Sequence, residues 1–166
     1  MRWKLFILLA LLSFTGCGNG SSAETSPWIG KPLPDFSYPS INGADSIRSS
    51  DLRRKVSLVS FWATWCPSCI QEVPLLKGVQ KKFAPKGLNL IALSVDQQPE
   101  LVAPLARKLG MDYRVGTGAQ DLHMKLGLQY IPHTFLLDTA GIVRASYPGG
   151  VDREALDRAI EQMGLR

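Results

Sequence analysis

The sequence predicts an α/β fold in which a central mixed β-sheet is flanked by helices. Residues 56–62 form an apolar run rich in β-branched and aromatic side chains, which is typical of a buried strand. A helical pattern follows this run, and a second apolar run at residues 88–95 follows the helix. Alternating strands and helices predict parallel pairing, whereas residues 142–147 are expected to return antiparallel and make the sheet mixed.

The first 16 residues predict a signal peptide of the lipoprotein type. Arg2 and Lys4 precede an apolar run, Leu5 to Leu12, which is too short to span a bilayer comfortably. Cys17 directly follows Gly16, a pair that resembles a bacterial lipobox, so Cys17 is expected to carry the lipid. The alternative is ordinary cleavage nearby, which leaves Cys17 as a free thiol.

Residues 17–26 are polar and lack periodicity, so after the lipidated cysteine they predict a flexible tether. The whole chain has 19 basic and 14 acidic side chains, and removal of the signal peptide leaves a net charge of about +3. No segment interleaves basic and aromatic residues as a nucleic-acid surface does, so we expect no nucleic-acid partner. The remaining residues, 27–166, are enough for one domain with a single core.

The elements of this domain follow in order. Asn42-Gly43 is the strongest signal in the chain for a two-residue hairpin turn. The first long helix is predicted to begin at Pro67, because proline suits a first helical turn, and Pro74 lies inside it. A helix at residues 99–109, irregular at Pro104, should be followed by a short edge strand at residues 113–115.

The C-terminal third predicts two more helices and two strands. A helix at residues 119–126 should end at Gly127, and Pro132 should start the next strand because proline cannot donate within a ladder. Asp152 is expected to cap a last helix, whose apolar stripe includes Leu156 and Ile160.

Two cysteines lie where the first strand passes into the first long helix, in the stretch Phe-Trp-Ala-Thr-Trp-Cys-Pro-Ser-Cys at residues 61–69. Cys66 is placed at the helix N-terminus, where free N–H groups stabilise a thiolate. Cys69 follows one turn later on the same face. Cys66 is therefore predicted to be the more exposed thiol and to attack a substrate disulfide, and Cys69 to release the mixed intermediate.

Three other uses of such a cysteine pair fit this sequence less well. A zinc site needs four ligands, and no second cysteine pair completes it. An inert structural disulfide would close only a very short loop. A Sco-like copper carrier spaces its cysteines one residue wider and adds a histidine. We therefore expect no metal and no cofactor beyond a redox-active Cys66–Cys69 disulfide.

Residues 61–69 resemble the active-site stretch of the TlpA/ResA-like branch of the thioredoxin superfamily, which comprises envelope thiol–disulfide oxidoreductases. The resemblance extends from about Pro27 to the C-terminus. It implies a thioredoxin-like fold with an N-terminal β-hairpin extension and a β/α insertion at residues 97–118. It also implies a location in the cell envelope, and together with the lipobox at Gly16-Cys17 it predicts a lipid-anchored protein facing the periplasm, with the choice between inner and outer membrane left open. The implied partners are protein thiols and disulfides, including apocytochrome c, and a membrane thiol electron donor.

Ile131-Pro132 resembles the cis-proline loop of this family, which lies against the active-site disulfide. The backbone of Ile131 would then be free to pair with an extended substrate, and Trp65, Pro67 and Pro132 would border the groove. The alternative is an ordinary trans proline at the start of a strand.

Several positions depart from the family pattern. Ser60 stands where many thioredoxins bury a carboxylate. ResA-like members also carry a glutamate just after the second central strand, for which Asp96 and Glu100 are the candidate substitutes, although a solvated loop acid is the favoured interpretation. His133 follows Pro132 where threonine is usual, and we favour a strand residue near the site edge over one that tunes the thiols or lends a metal ligand. His123 is interpreted as a surface residue.

Two other functions remain open at this point. A peroxiredoxin-like peroxidase needs a threonine three residues before its cysteine, whereas Thr64 stands two before Cys66. A metal-binding or partner-binding module with a thioredoxin fold is the non-enzymatic alternative. The leading hypothesis is an envelope thiol–disulfide oxidoreductase, a reductant, with a role in cytochrome c maturation.

Overall fold

A computed structural model describes residues 26–43 and 45–166 of the chain. The expected signal peptide, lipidated Cys17 and nearly all of the tether lie outside these residues. The strands are β1 (Ser37–Pro39), β2 (Ser46–Arg48), β3 (Ser57–Trp62), β4 (Asn89–Ser94), β5 (Arg114–Gly116), β6 (His133–Leu137) and β7 (Val143–Pro148). The α-helices are α1 (Pro67–Phe83), α2 (Val102–Lys108), α3 (Gln120–Lys125) and α4 (Arg153–Gln162).

The central sheet has the order β5-β4-β3-β6-β7. Strands β3, β4 and β5 are parallel, whereas β6 is antiparallel to β3 and β7 is antiparallel to β6, as a mixed sheet requires. Phe61, near the end of β3, lies opposite His133, the first residue of β6. This register places the loop after β3 and the loop before β6 at the same edge of the sheet, which is why Cys66 and Pro132 can meet.

Helices cover both faces of the sheet. Every residue of β3 is buried, which requires cover on each side. Helices α1 and α4 lie together, since the Lys82 ammonium is 3.0 Å from the Asp157 carboxylate. Helix α3 packs on the face that carries Phe61, whose ring centroid lies 6.0 Å from that of His123. The predicted sandwich of helices around a mixed sheet is confirmed.

The N-terminal hairpin is present, but the prediction of a two-residue turn is wrong. Strands β1 and β2 pair antiparallel, and six residues separate Pro39 from Ser46. The backbone N–H of Ile41 donates to the carbonyl of Val115 on β5 at 3.0 Å. The loop is therefore shaped by its contact with the edge of the central sheet, which a local turn signal cannot show.

The remaining elements follow the predicted pattern with one change. Helix α2 is preceded by a 3-10 turn, Pro99–Leu101, and Pro104 lies in the first turn of α2, where its missing N–H costs nothing. The irregularity therefore precedes Pro104. At α4 the Asp152 carboxylate accepts the backbone N–H of Ala155 at 2.8 Å, which confirms the predicted cap. Across the described ranges, no helix is both long enough and apolar enough to cross a membrane.

Candidate active site

Cys66 and Cys69 form a disulfide at the start of α1, with their Cα atoms 5.3 Å apart. Cys66 is the N-cap of the helix and Pro67 is its first residue, as predicted. The backbone N–H of Cys69 donates to the Cys66 sulfur at 3.2 Å. An N–H at a helix N-terminus stabilises negative charge, so this contact favours a thiolate on Cys66 once the disulfide is reduced.

The two cysteines do not differ in exposure while they are bonded. Cys66 is 4% exposed and Cys69 is 3% exposed. The expected greater exposure of Cys66 is therefore absent in the disulfide form. What distinguishes the two sulfurs is the position of Cys66 as the N-cap, together with the groups that contact its sulfur.

The loop before β6 approaches the disulfide. The Ile131–Pro132 peptide bond is cis, as the resemblance implies. The carbonyl oxygen of Ile131 lies 3.8 Å from the Cys66 sulfur. Pro132 is buried and Ile131 is partly exposed. The two predicted parts of the site are thus brought together at one edge of the sheet.

Three residues adjacent to the cysteines in the chain are exposed. The indole of Trp65 is 66% exposed, which makes it one of the most exposed large apolar residues in the described chain. Pro67 is also exposed. The Ser68 hydroxyl lies 3.4 Å from the Cys66 sulfur, a neutral hydrogen-bonding group whose proximity was not anticipated from the sequence.

Asp96 is a buried structural acid, so its interpretation as a solvated loop residue is wrong. It is 4% exposed, and its carboxylate accepts hydrogen bonds from the Thr64 hydroxyl at 2.5 Å and the Ser94 hydroxyl at 2.6 Å. The Thr64 backbone N–H also donates to it, at 3.0 Å. Asp96 therefore ties the end of β4 to the loop that leads into Cys66. Glu100 is exposed.

Glu72 is an acid near the site that the sequence interpretation did not identify. It is 8% exposed, and its carboxylate accepts the backbone N–H of Val151 at 2.9 Å. Burial raises the pKa of Glu72 to about 7, although the hydrogen bond from Val151 opposes the rise. The backbone N–H of Gly149 donates to the carbonyl of Pro132 at 2.8 Å, so the loop that contacts Glu72 is also bonded to the cis-proline loop.

A sequence signal for Glu72 does exist. The buried residues of α1 include Cys69, Glu72, Leu76 and Val79, which recur at intervals of three and four. Glu72 therefore occupies a position in the buried stripe of the helix, one turn after Cys69. An acid in an otherwise apolar stripe marks a buried carboxylate, and this pattern would have identified it.

His133 is buried beside the cis-proline and is uncharged at neutral pH. It is 7% exposed, and its Nε2 lies 2.9 Å from the Ser146 hydroxyl. Burial lowers the pKa of His133 to about 4, and the neighbouring His123 adds to the effect. His133 therefore supplies no positive charge to the thiols. His123 is partly buried against Phe61, so its interpretation as a surface residue is wrong.

Ser60 is buried near the site without a carboxylate at its position. Ser60 is 1% exposed, and its hydroxyl has no hydrogen-bond partner among the described residues. Within the same residues, no group of three or more histidine, cysteine or acidic side chains is arranged to hold a metal ion.

Comparisons with known proteins agree with this geometry. A family model described as the AhpC/TSA family matches residues 29–146. The chain is 32% identical to a thiol:disulfide interchange protein DsbE from Pseudomonas fluorescens biotype C, over 89% of this chain and 82% of that protein. It is 28% identical to the thiol-disulfide oxidoreductase ResA of Geobacillus kaustophilus (strain HTA426), over 96% of this chain and 91% of that protein.

Solved structures show the same fold. A thiol:disulfide interchange protein of the thioredoxin family from Chlorobium tepidum TLS superposes with a TM-score of 0.69 at 28% identity, covering 80% of this chain and 94% of that chain. A second structure from Chlorobium tepidum superposes with a TM-score of 0.76 at 26% identity, covering 81% of this chain and 96% of that chain. The thioredoxin-like fold is confirmed.

Proposed function

The chain belongs to the AhpC/TSA family and is a thiol–disulfide oxidoreductase with a Cys66–Cys69 pair, and from this premise we propose that it reduces protein disulfides in the bacterial cell envelope. The observation that carries the proposal is the Cys66–Cys69 disulfide at the N-terminus of α1, with the Ile131 carbonyl 3.8 Å from the Cys66 sulfur. In this proposal Cys66 is the nucleophile, Cys69 is the resolving thiol and the Ile131 backbone is the edge that receives substrate.

The reaction proceeds in two exchanges, starting from the dithiol. The Cys66 thiolate attacks one sulfur of a substrate disulfide, and the other substrate sulfur leaves as a thiolate that takes up a proton. The Cys69 thiolate then attacks the Cys66 sulfur, which re-forms the Cys66–Cys69 disulfide and releases the second substrate thiol. Two electrons pass from the dithiol to the substrate. A second dithiol, held by a membrane electron donor in this proposal, returns the protein to its reduced form.

Substrate docks on the cis-proline loop. The backbone of Ile131 pairs with an extended segment of the substrate, as a strand is added to an open edge. Pro132 holds this backbone against the sulfurs, and Trp65 and Pro67 border the groove on the exposed side. Apocytochrome c, with its haem-binding thiols, is the substrate that the family resemblance implies.

Disulfide exchange fits the site better than peroxide reduction. A peroxidase uses a threonine hydroxyl to hold peroxide beside its cysteine, whereas the Thr64 hydroxyl donates to the buried Asp96 carboxylate at 2.5 Å. The Thr64 hydroxyl proton is therefore used in this hydrogen bond and is not free to bind peroxide. We expect peroxide consumption to be negligible beside the reduction of a protein disulfide such as insulin.

The direction of electron flow follows from how strongly a Cys66 thiolate is stabilised. The N–H groups of the first turn and the neutral Ser68 hydroxyl contribute, whereas His133 is uncharged because burial lowers its pKa to about 4. We predict a reduction potential nearer to about −270 mV than to about −120 mV, the values of thioredoxin and of the oxidant DsbA. Equilibration against dithiothreitol buffers measures it. A potential above about −160 mV would make the protein an oxidant and would contradict the proposal.

Lipid on Cys17 is proposed as the link to the membrane. We expect Cys17→Ser to move the mature protein from the membrane fraction to the soluble envelope fraction while insulin reduction stays unchanged, because Cys17 takes no part in the exchange. Cell fractionation with mass spectrometry of the N-terminus checks both points. Membrane retention of the Cys17→Ser protein would show that something other than lipid anchors the chain.

A further inference from the structure

A small pocket is lined by Tyr130 and His133, the residues on either side of the Ile131-Pro132 pair. Its volume is about 180 Å³, and we call it the aromatic pocket. Its main lining residues are Trp28, Leu126, Leu128, Tyr130, His133 and Pro148. None of these side chains has a role in the exchange described above.

The walls of the aromatic pocket are planar and held in place. The Trp28 indole N–H donates to the carbonyl of Leu126 at 2.9 Å, so the ring is fixed across one side of the pocket. The ring of Tyr130 forms another wall, and this residue is 67% exposed. Aromatic faces and edges favour other aromatic rings over aliphatic groups of similar area.

The polar residues of the pocket are uncharged, and one of their nitrogen atoms lacks a hydrogen-bond partner. His133 and Ser146 are both buried, and the His133 Nε2 atom is hydrogen-bonded to the Ser146 hydroxyl. His133 Nδ1 is buried and has no hydrogen-bond partner among the described residues. A buried polar atom without a partner costs free energy, and a small displacement of the ring towards a ligand hydroxyl in the pocket would recover part of it. A phenol hydroxyl can donate or accept, so it suits either tautomer of the imidazole.

The lack of charged groups in the pocket disfavours charged side chains as occupants. The lining residues that the structure describes include no lysine, arginine, aspartate or glutamate, and His133 stays neutral above a pH of about 4 because burial lowers its pKa. A charged side chain would therefore enter without a counter-charge and would lose hydration. The volume corresponds to roughly six water molecules at their liquid volume, which is enough for one ring and too little for a folded segment.

The pocket and the redox sulfur share one loop. Tyr130 and His133 line the pocket, whereas Ile131 between them places its carbonyl 3.8 Å from the Cys66 sulfur. A substrate strand paired with the Ile131 backbone advances about 3.3 Å per residue and points successive side chains to opposite sides. Side chains one and two positions from the substrate cysteine therefore lie within about 7 Å of it along the strand, on the two sides of that strand.

We propose that the aromatic pocket is a specificity site that receives a tyrosine or similar aromatic side chain carried next to the cysteine of the protein substrate. The inference rests on the proposed function, because it assumes that a substrate strand pairs with Ile131. It deepens that function by naming a chemical preference of the substrate. The preference concerns how the substrate is bound, separately from the exchange of sulfurs.

Single-turnover reduction of short peptides tests the preference. The mature chain is prepared as Cys17→Ser, reduced, and mixed with peptides whose one cysteine is disulfide-bonded to glutathione. Tyrosine, alanine or aspartate is placed one or two positions before or after that cysteine, and release of the peptide thiol is followed by chromatography. We expect a tyrosine in at least one position to raise the second-order rate on the order of tenfold over alanine, and aspartate to give none. Equal rates for tyrosine and alanine at all four positions would overturn the proposal.

Binding without chemistry separates the pocket from the proposed function. The same tyrosine peptide with serine in place of its cysteine should shift the NMR signals of the Trp28 indole N–H and the His133 ring, and the alanine peptide should not. Such shifts support the pocket even if no peptide is reduced, an outcome that would count against the proposed function alone. If these signals stay still with the tyrosine peptide, or move only with protein concentration as a second copy would make them, the pocket proposal fails.

A matched pair of variants locates the preference. Tyr130→Ala removes one wall of the pocket and should reduce the tyrosine-to-alanine rate ratio to near one. Met124→Ala on α3 removes a side chain of nearly equal exposure, 65%, that does not line the pocket, and should keep the ratio of the parent protein. A ratio unchanged in Tyr130→Ala would contradict the assignment of the preference to this pocket.

Discussion

Replacement of Cys69 by serine is expected to stop the reaction at the mixed disulfide. Cys66 keeps its place as the N-cap of α1 and can still attack, but no thiol remains to release the substrate. Turnover in an insulin-reduction assay should fall on the order of 10³-fold or more, the scale of loss when a covalent catalytic group is removed. Non-reducing electrophoresis and mass spectrometry of envelope extracts should then show Cys66 bonded to its substrates, which identifies them.

The reciprocal variant is the control for this experiment. Cys66→Ser should lose turnover to the same extent and should trap nothing, because Cys69 lacks the N-cap position and the first-turn N–H contact that favour a thiolate on Cys66. Both variants keep the helix start, since serine is a good N-cap residue at position 66. Adducts on Cys69 in Cys66→Ser, together with none on Cys66 in Cys69→Ser, would reverse the roles assigned to the two thiols.

The parts of the fold that were predicted correctly are those specified by local pattern. The apolar run of β3, the proline-started α1 and the Asp152 cap of α4 each show in a short window of sequence. The length of the β1–β2 loop was missed because the Ile41 N–H is bonded to Val115, far away in the chain. A turn dipeptide carries no information about such a contact.

Contacts between residues far apart in the chain also explain which site residues could be predicted and which could not. Cys66 and Cys69 are close in sequence, and Pro132 was placed beside them through the resemblance. Asp96 was misjudged because the hydroxyls of Thr64 and Ser94 satisfy it only in three dimensions. A buried carboxylate is stabilised where hydrogen-bond donors surround it, and the sequence shows the acid without showing its donors.

Glu72 is a buried acid that accepts only one hydrogen bond in the described chain, from the Val151 N–H. Because its charge is poorly compensated, we expect replacement of Glu72 to stabilise the protein, and to do so more at high pH than at low pH. Burial raises the pKa of Glu72 from its ordinary value of 4.5 to about 7 in the folded state. Below a pH of about 4.5 the carboxyl is protonated in both the folded and the unfolded chain, so its ionisation does not lower the free energy of unfolding. Between about 4.5 and 7 only the unfolded chain releases the proton, so the free energy of unfolding falls as the pH rises, and the full loss is present above about 7.

The size of this loss sets the prediction for Glu72→Gln. At about 1.4 kcal/mol per unit of pKa, the carboxyl costs about 3 kcal/mol at pH 8. Glutamine stays neutral and keeps an oxygen for the Val151 N–H, but it brings an NH₂ group that needs an acceptor. We therefore expect a gain of about 1–3 kcal/mol in the free energy of unfolding at pH 8, or roughly 4–12 °C in Tm, and little change at pH 4.

Thermal unfolding of the oxidised protein at pH 4, 6 and 8 measures the effect, with Glu154→Gln as the matched control. Glu154 lies on α4 with its side chain 86% exposed, so its replacement should change stability by less than about 0.5 kcal/mol at any of these pH values. A Glu72→Gln protein that is less stable than the parent at pH 8 would mean that the hydrogen bond from Val151 stabilises the ionised carboxylate more than burial destabilises it, so that the pKa of Glu72 is lowered in the folded state. In that case stability would rise with pH up to about 4.5, the opposite sign to the one expected from burial.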